Sequence, residues 1–199
     1  YNTASGQGAL FSNTTGYSNT ASGQSALFSN TTGSANTASG ISALGSNTTG
    51  QYNTASGHSA GFSNQTGSKN VFLGYQAGYS ETGSDKLYID NSNTATPLIY
   101  GDFASDALTI NGTLNSTGTL TAAGIMSSQG GIVNTGTLTS TGNISTSGTL
   151  TATGNISTGG TLTAMGIMYS QNGIVNTGTL TSTGNMSTSG TFTSTGNIS

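Results

Sequence analysis

The chain has 199 residues, of which 4% are charged; 32 are glycine, one is proline (Pro97), and cysteine and tryptophan are absent. Arginine is also missing, Lys69 and Lys86 are the only lysines, and the net charge is −3. Two lysines and no basic patch argue against a nucleic-acid partner, which needs Lys and Arg to neutralise phosphates. A disulfide framework is excluded, and apolar runs such as Val71-Phe72-Leu73 fall far short of the roughly 18 residues of a membrane helix.

Such a composition suits either a disordered low-complexity segment or a repeat protein, and periodicity separates the two. The motif NTASG begins at Asn2, Asn19, Asn36 and Asn53. Each copy is followed by a small-apolar stretch (Ala9-Leu10-Phe11, Ala26-Leu27-Phe28, Ala43-Leu44-Gly45, Ala60-Gly61-Phe62) and closes on a turn ending at Gly16, Gly33, Gly50 or Gly67. A fifth unit starts in phase at Asn70 and drifts to NVFLGYQAGYSETG. Every unit reads as two short strands separated by Gly and Asn turns. No window has helical periodicity, and Gly and Thr are poor helix formers. Residues 1–80 are therefore expected to form a β-roll.

Residues 81–111 break the period. They hold all five acids (Glu81, Asp85, Asp90, Asp102, Asp106) and a dense apolar set including Tyr88, Ile89, Leu98, Ile99, Tyr100 and Phe103. An adaptor between two repeat types is expected. The acids read as loop charges; a calcium site using oxygen ligands such as Asp90 and Asp102 lacks the spacing of a calcium-loop motif.

From Gly112 the chain runs in sixes: GTLNST, GTLTAA, GIMSSQ, GGIVNT, GTLTST, GNISTS and onward. The third place is always apolar: Leu114, Leu120, Met126, Ile132, Leu138, Ile144, Leu150, Ile156, Leu162, Met168, Ile174, Leu180, Met186, Phe192 and Ile198. A fixed period of this kind marks a repeat architecture. Alternation along a strand turns the apolar residue inward, and the glycine ahead of it allows a corner with positive φ or a tight backbone approach. Residues 112–199 are thus expected to form a hexapeptide β-helix shaft. One aliphatic in six residues is a thin core for a lone chain, which favours three chains sharing one axis; a monomeric left-handed solenoid with three hexads per turn is the alternative. The expected fold class is all-β, a repetitive β-roll and β-helix, as an intertwined homotrimeric fibre. Both ends fall inside repeats, so a longer parent chain is expected.

The units NTASGQSALFSNTTG and NTASGISALGSNTTG resemble the head repeats of trimeric autotransporter adhesins. The hexads GTLTSTGNISTSGTLTATGNIS and the segment NVFLGYQAGYSETGSDKLYIDNSNTATPLIYGDF look like shafts of bacteriophage tail fibres and related bacterial surface fibres. The resemblance implies a homotrimeric extracellular fibre, an adhesin or tail-fibre shaft that recognises a cell-surface glycan or protein receptor.

Chemistry is sparse. One histidine, no cysteine and acids without a nucleophile offer no catalytic set, so no enzyme, metal or cofactor is expected. His58 occupies a position held by Gln7, Gln24 and Ile41 in other units, which reads as a variable surface place; in a trimer, three copies could meet on the axis. Sequons recur at Asn13, Asn30, Asn47 and Asn64 and suggest surface glycosylation. Outward pairs such as Thr119/Thr121, Thr137/Thr139, Thr161/Thr163 and Thr179/Thr181 raise a second function, ice binding by a threonine array.

Overall fold

In the computed structural model the chain is all-β, with parallel coils stacked as a β-solenoid of about ten turns. It describes every residue except 125, 129 and 130, and residues 126–128 through their backbone only. The chain divides into two compact units, Tyr1–Thr109 and Ile110–Ser199.

In the first unit, β1 (Thr3–Ser5), β2 (Thr20–Ser22), β3 (Thr37–Ser39), β4 (Thr54–Ser56), β5 (Val71–Leu73), β6 (Lys86–Ile89), β7 (Ile99–Asp102) and β8 (Ala107–Ile110) form one sheet in sequence order. Pairing is parallel from β1 through β6, in a register that sets Thr20 on Thr37 and Ala38 on Ala55. Each unit of the repeat has one strand, not the two expected. The small-apolar stretch cannot extend, because Ser25, Leu27, Ser42 and Leu44 adopt positive φ of 50–58°. It winds instead as consecutive turns, with Ala26, Leu27, Ala43 and Leu44 fully buried. β-branched residues would resist that left-handed backbone, and Ser and Leu adopt it here.

The expected adaptor is not a separate body. Its β6 extends the roll by pairing in parallel with β5, Phe72 opposite Tyr88, and then turns back on β7 in antiparallel register.

The second unit contains β9 (Leu114–Ser116), β10 (Leu120–Ala122), β11 (Met126–Ser128), β12 (Ile132–Asn134), β13 (Leu138–Ser140), β14 (Ile144–Thr146) and β15 (Leu150–Ala152). It continues with β16 (Asn155–Thr158), β17 (Leu162–Ala164), β18 (Met168–Ser170), β19 (Gly173–Asn176), β20 (Leu180–Ser182), β21 (Met186–Thr188) and β22 (Thr191–Ser194). Three parallel sheets result, β9-β12-β15-β18-β21, β10-β13-β16-β19-β22 and β11-β14-β17-β20. Successive strands in each sheet are three hexads apart, so Leu120 lies on Leu138 and Ile144 on Leu162. One chain closes all three sides.

Closure answers the thin-core argument. Ile132, Leu138, Ile144, Leu150, Ile156, Leu162, Met168, Ile174 and Leu180 have no exposed surface within a single chain. Leu114, Leu120 and Met186 are half-buried, while Phe192 and Ile198 are exposed; the side chain of Met126 lies outside the described residues. The sequence reading placed one inward residue per hexad, and there are two. Asn134, Ser140, Thr146, Ala152, Thr158, Ala164, Ser170 and Asn176, each two places after a ladder residue, are also buried. The signal was present: that place holds only Ala, Ser, Thr or Asn, small enough to fit beside the neighbouring side's aliphatic.

Of the two roles open to the hexad glycines, close approach is the one realised, since none of them has positive φ among the described residues. A Cβ on Gly142 would stand 2.6 Å from the Gly124 carbonyl oxygen of the adjacent coil, and one on Gly166 2.8 Å from that of Gly148. Real Cβ atoms do not come so near backbone. Gly118, in contrast, has nothing within 4 Å of that point. Gly142→Ala is therefore expected to lower the melting temperature by several degrees, consistent with about 1–3 kcal/mol for such strain, and Gly118→Ala to leave it within about a degree. Equal melting of both variants would remove the close-approach account.

Candidate functional site: inward ladders and outward files

Repetition in register converts each sequence position into a file of side chains one coil apart. The inward polar files are hydrogen-bonded ladders. Asn19, Asn36, Asn53 and Asn70 each donate through Nδ2 to a glycine carbonyl (Gly33, Gly50, Gly67, Gly83) at 2.8 Å. Through Oδ1 they accept the backbone N–H one coil on, as Asn36 Oδ1 does from Asn53 at 2.9 Å. The glycine carbonyls and the Asn N–H groups on this file thereby find partners, as burial demands.

The sequon residues form a second such ladder. Asn30 Nδ2 donates to Asn13 Oδ1 and Asn47 Nδ2 to Asn30 Oδ1, both at 2.8 Å, and Asn30 and Asn64 also donate to Gly33 and Gly67 carbonyls. Asn30, Asn47 and Asn64 have no exposed surface, and Asn13 is half-buried. Their recurrence thus has a structural reason, and the folded coil offers no glycan acceptor at Asn30, Asn47 or Asn64. The amide nitrogens that would carry the sugar are already committed.

Outward files are of three kinds. The first is threonine on the hexad corners: Thr135, Thr141, Thr177 and Thr183 donate their hydroxyls to carbonyls of the preceding coil. The second is the strand-centre file, where the threonine pairs do not form a continuous array. On the β10-β13-β16-β19-β22 face, Thr121 and Thr139 are followed by Ser157 and Val175 before Thr193. On the β9-containing face, Val133, Thr151 and Tyr169 succeed one another. Blocks of paired threonines are two rows deep, as where Thr163 lies on Thr181.

The third kind is aromatic, on the first unit. Phe11 stacks on Phe28 and Phe62 on Tyr79, each at 5.1 Å, and His58 stacks on Tyr75 at 5.5 Å. His58 is exposed, as its variability between units suggested. Sequence reading singled out none of these stacks, although Phe11, Phe28, Phe62 and Tyr79 share one repeat position; the signal was their 17-residue spacing.

The charged residues gather on the β6–β7 hairpin. Lys86 Nζ lies 2.7 Å from Asp102 Oδ2, across a directly opposed pair. Asp90, just past the other end of β6, accepts from the Asn91 amide, the Ser92 hydroxyl and the Leu98 amide, and so closes the connecting loop. Asp102 faces Lys86, four residues before Asp90, so the two carboxylates are offset by about 13 Å along the strands, and the structure does not bring together the pair considered for calcium. No group of three His, Cys, Asp or Glu side chains converges among the described residues. Tyr88 donates to Glu81 Oε2 at 2.7 Å and meets Phe72 and Tyr100.

These contacts shift titrations in both directions. The Lys86 hydrogen bond holds the Asp102 carboxyl below its usual range, and burial does not outweigh it. At Asp90 burial pushes upward, but the hydrogen bonds from Leu98, Ser92 and Asn91 prevail and lower it. Burial, then the Glu81 hydrogen bond, push Tyr88 well above its ordinary 10.0, and the Asp102 hydrogen bond raises Lys86 above 10.5. For a depressed carboxyl, stability is present above about pH 4 and lost as pH falls below it; for a raised Tyr or Lys it is present below about pH 10 and lost above. Thermal stability of the hairpin is thus expected to be flat from about pH 5 to 9 and to fall on both sides. Asp90→Asn should flatten the acid limb, and a profile unchanged by that substitution would refute the assignment.

Coils, ladders and short corners of these two kinds define a β-solenoid protein. Scans against family models, curated proteins and solved structures find no match to the chain.

Proposed function

We propose that this chain is a segment of a structural extracellular fibre, a stiff spacer whose recognition surface engages a cell-surface glycan or protein receptor. The observation that carries the reading is the burial of the aliphatic ladder from Ile132 to Leu180 and of the Asn ladder from Asn19 to Asn70 inside the coils, with threonine and serine files and few charges on the outer faces. Such a surface suits a rod that is lengthened by adding repeats. The resemblance of the repeats to adhesin heads and fibre shafts supports the same role.

Because a single chain buries its own ladder, three intertwined chains are not needed to make a core. The building unit of this proposal is the self-closed coil, and association of copies, as trimer or filament, proceeds through outer faces. Several copies on one fibre would gain avidity from individually weak contacts. Light scattering tests the assembly: a mass at a multiple of 19.6 kDa is expected, and a monomer at all concentrations would overturn self-association. Surface adherence of labelled protein to a panel of bacterial and eukaryotic cells tests the recognition role. The ice-binding alternative has only two-row threonine blocks in its favour. Thermal hysteresis is expected to be nil, and a measurable value would reverse the preference.

A further inference from the structure

The aromatic file of the first unit is broken once. The repeat position of Phe11, Phe28, Phe62 and Tyr79 holds Gly45 in the third coil. Where a ring is missing there is a slot of about 270 Å³, with Phe28 and Phe62 as walls, Gly45 as floor, and Ser29, Ser42 and Ser46 among the rim residues. Phe62 reaches over the glycine, its Cε2 2.9 Å from where a Cβ on Gly45 would stand, while Phe28 rests against a different repeat position of the coil before it, its Cδ2 3.2 Å from the Cβ point of Gly8. Two coil rises separate the two walls, about 9.5 Å, and Phe62, which reaches over Gly45, narrows that gap. A six-membered ring in van der Waals contact with both needs about 7–8 Å. The slot is wide enough for one ring and too narrow for two.

From this geometry we infer that the Gly45 slot binds one pyranose ring of a neutral oligosaccharide, sandwiched between Phe28 and Phe62. Three features select that chemistry. The negative faces of two phenyl rings attract the C–H edges of a sugar face. Among the described residues the rim hydroxyls of Ser29, Ser42 and Ser46 have no protein hydrogen-bond partner and can each donate and accept, which matches the hydroxyl edge of a sugar better than an aromatic guest. Residues 1–67 contain no Asp, Glu, Lys or Arg, so a charged ligand would find no counter-ion. The volume sits just under the range of drug-sized pockets, in keeping with a single ring. Phe28 keeps 38% of its surface exposed, an unfavourable state that stacking relieves. This site names the ligand class for the recognition role proposed above and rests on that reading.

Saturation-transfer NMR of the full chain with neutral hexose and N-acetylhexosamine oligosaccharides, a sialylated set and phenol tests it. Transfer to a neutral oligosaccharide is expected, with affinity falling at least tenfold in Gly45→Phe, which restores the file seen at Phe11–Phe28, and severalfold in Phe28→Ala. Gly45 has ordinary φ, but an added Cβ would stand 2.9 Å from the Phe62 ring and 3.1 Å from the Ser42 carbonyl oxygen, so Phe62 must swing aside in the plugged variant; circular dichroism matching wild type verifies its fold, and Phe28→Ala provides an independent reading if it does not fold. Preference for phenol, preference for sialylated sugars, or binding unchanged by both substitutions would overturn the assignment. Cell adherence separates the two levels. Adherence equal in wild type and Gly45→Phe sinks the slot and leaves the fibre role standing; uptake of a neutral oligosaccharide by a protein that adheres to no cell does the reverse.

Discussion

Replacing Asn36 by aspartate, which changes one NH2 to one oxygen, is expected to unfold or nearly unfold the first unit at neutral pH. Asn36 has no exposed surface. Its Nδ2 donates to the Gly50 carbonyl at 2.8 Å and to Asn19 Oδ1 at 3.2 Å, while its Oδ1 accepts from the Asn53 amide. A carboxylate keeps the acceptor and loses the donor, so two oxygens face an anion with no cation in the coils around it. An uncompensated buried charge costs about 3–5 kcal/mol, a large share of the about 5–15 kcal/mol that stabilises a domain. Asn36→Ala strands the Asn53 N–H, at about 1–3 kcal/mol, while the Gly50 carbonyl keeps its longer bond from Asn47 Nδ2 at 3.2 Å. The two differ in pH dependence. Burial raises the introduced carboxyl, so the Asn36→Asp deficit relative to wild type should shrink as pH falls through the folded value and reach its minimum near pH 4, whereas that of Asn36→Ala should not move. Thermal melts at pH 7 and pH 4 decide it, and a neutral-pH melt at the wild-type temperature would mean that the ladder does not hold the coils.

The second large effect concerns Phe72. In the coils before it the strand centre is Ala21, Ala38 or Ala55, and the turn supplies Leu27 or Leu44, all fully buried. At Phe72 the bargain is inverted: Gly61 and Gly78 replace leucine, and a Cβ on either would collide with the Phe72 ring. One phenyl ring fills the volume of two leucines. Phe72→Ala is expected to cost about 3–5 kcal/mol through the cavity, and Gly61→Leu about 1–3 kcal/mol through overpacking. The triple variant Phe72→Ala, Gly61→Leu, Gly78→Leu restores the arrangement of coils two and three, and should melt well above the sum of its parts. Backbone strain does not forbid it, since Leu27 and Leu44 hold φ of 51° and 50° where Gly61 and Gly78 hold 61° and 59°. Additive losses would show that the three positions do not share one volume.

The same pair shows where sequence reading stopped. The drift of the fifth unit was visible as letters, but compensation between residues 61, 72 and 78 requires knowing which side chains meet inside the coil. The Asn positions of the 17-residue repeat were likewise visible, and the sequon pattern pointed them outward; their hydrogen bonds turn them inward. The Gly45 slot had a signature, a missing aromatic in a file at 17-residue spacing, yet only stacking of coils at strand spacing turns a missing letter into a space.

What the sequence by itself determined is the all-β class, the two periods, the change between them near residue 110 and the inward direction of the aliphatic ladder from Ile132 to Leu180. Those follow from local physics: glycine and threonine refuse helix, and alternation along a strand fixes which side an isolated aliphatic takes. Only the tertiary structure decided how many hexads close a turn, that one chain supplies all three sheets, and that the hexad glycines serve close approach and not a left-handed corner. Each of these depends on contacts between residues 17 or 18 apart, and a period states that such contacts recur without stating which atoms make them.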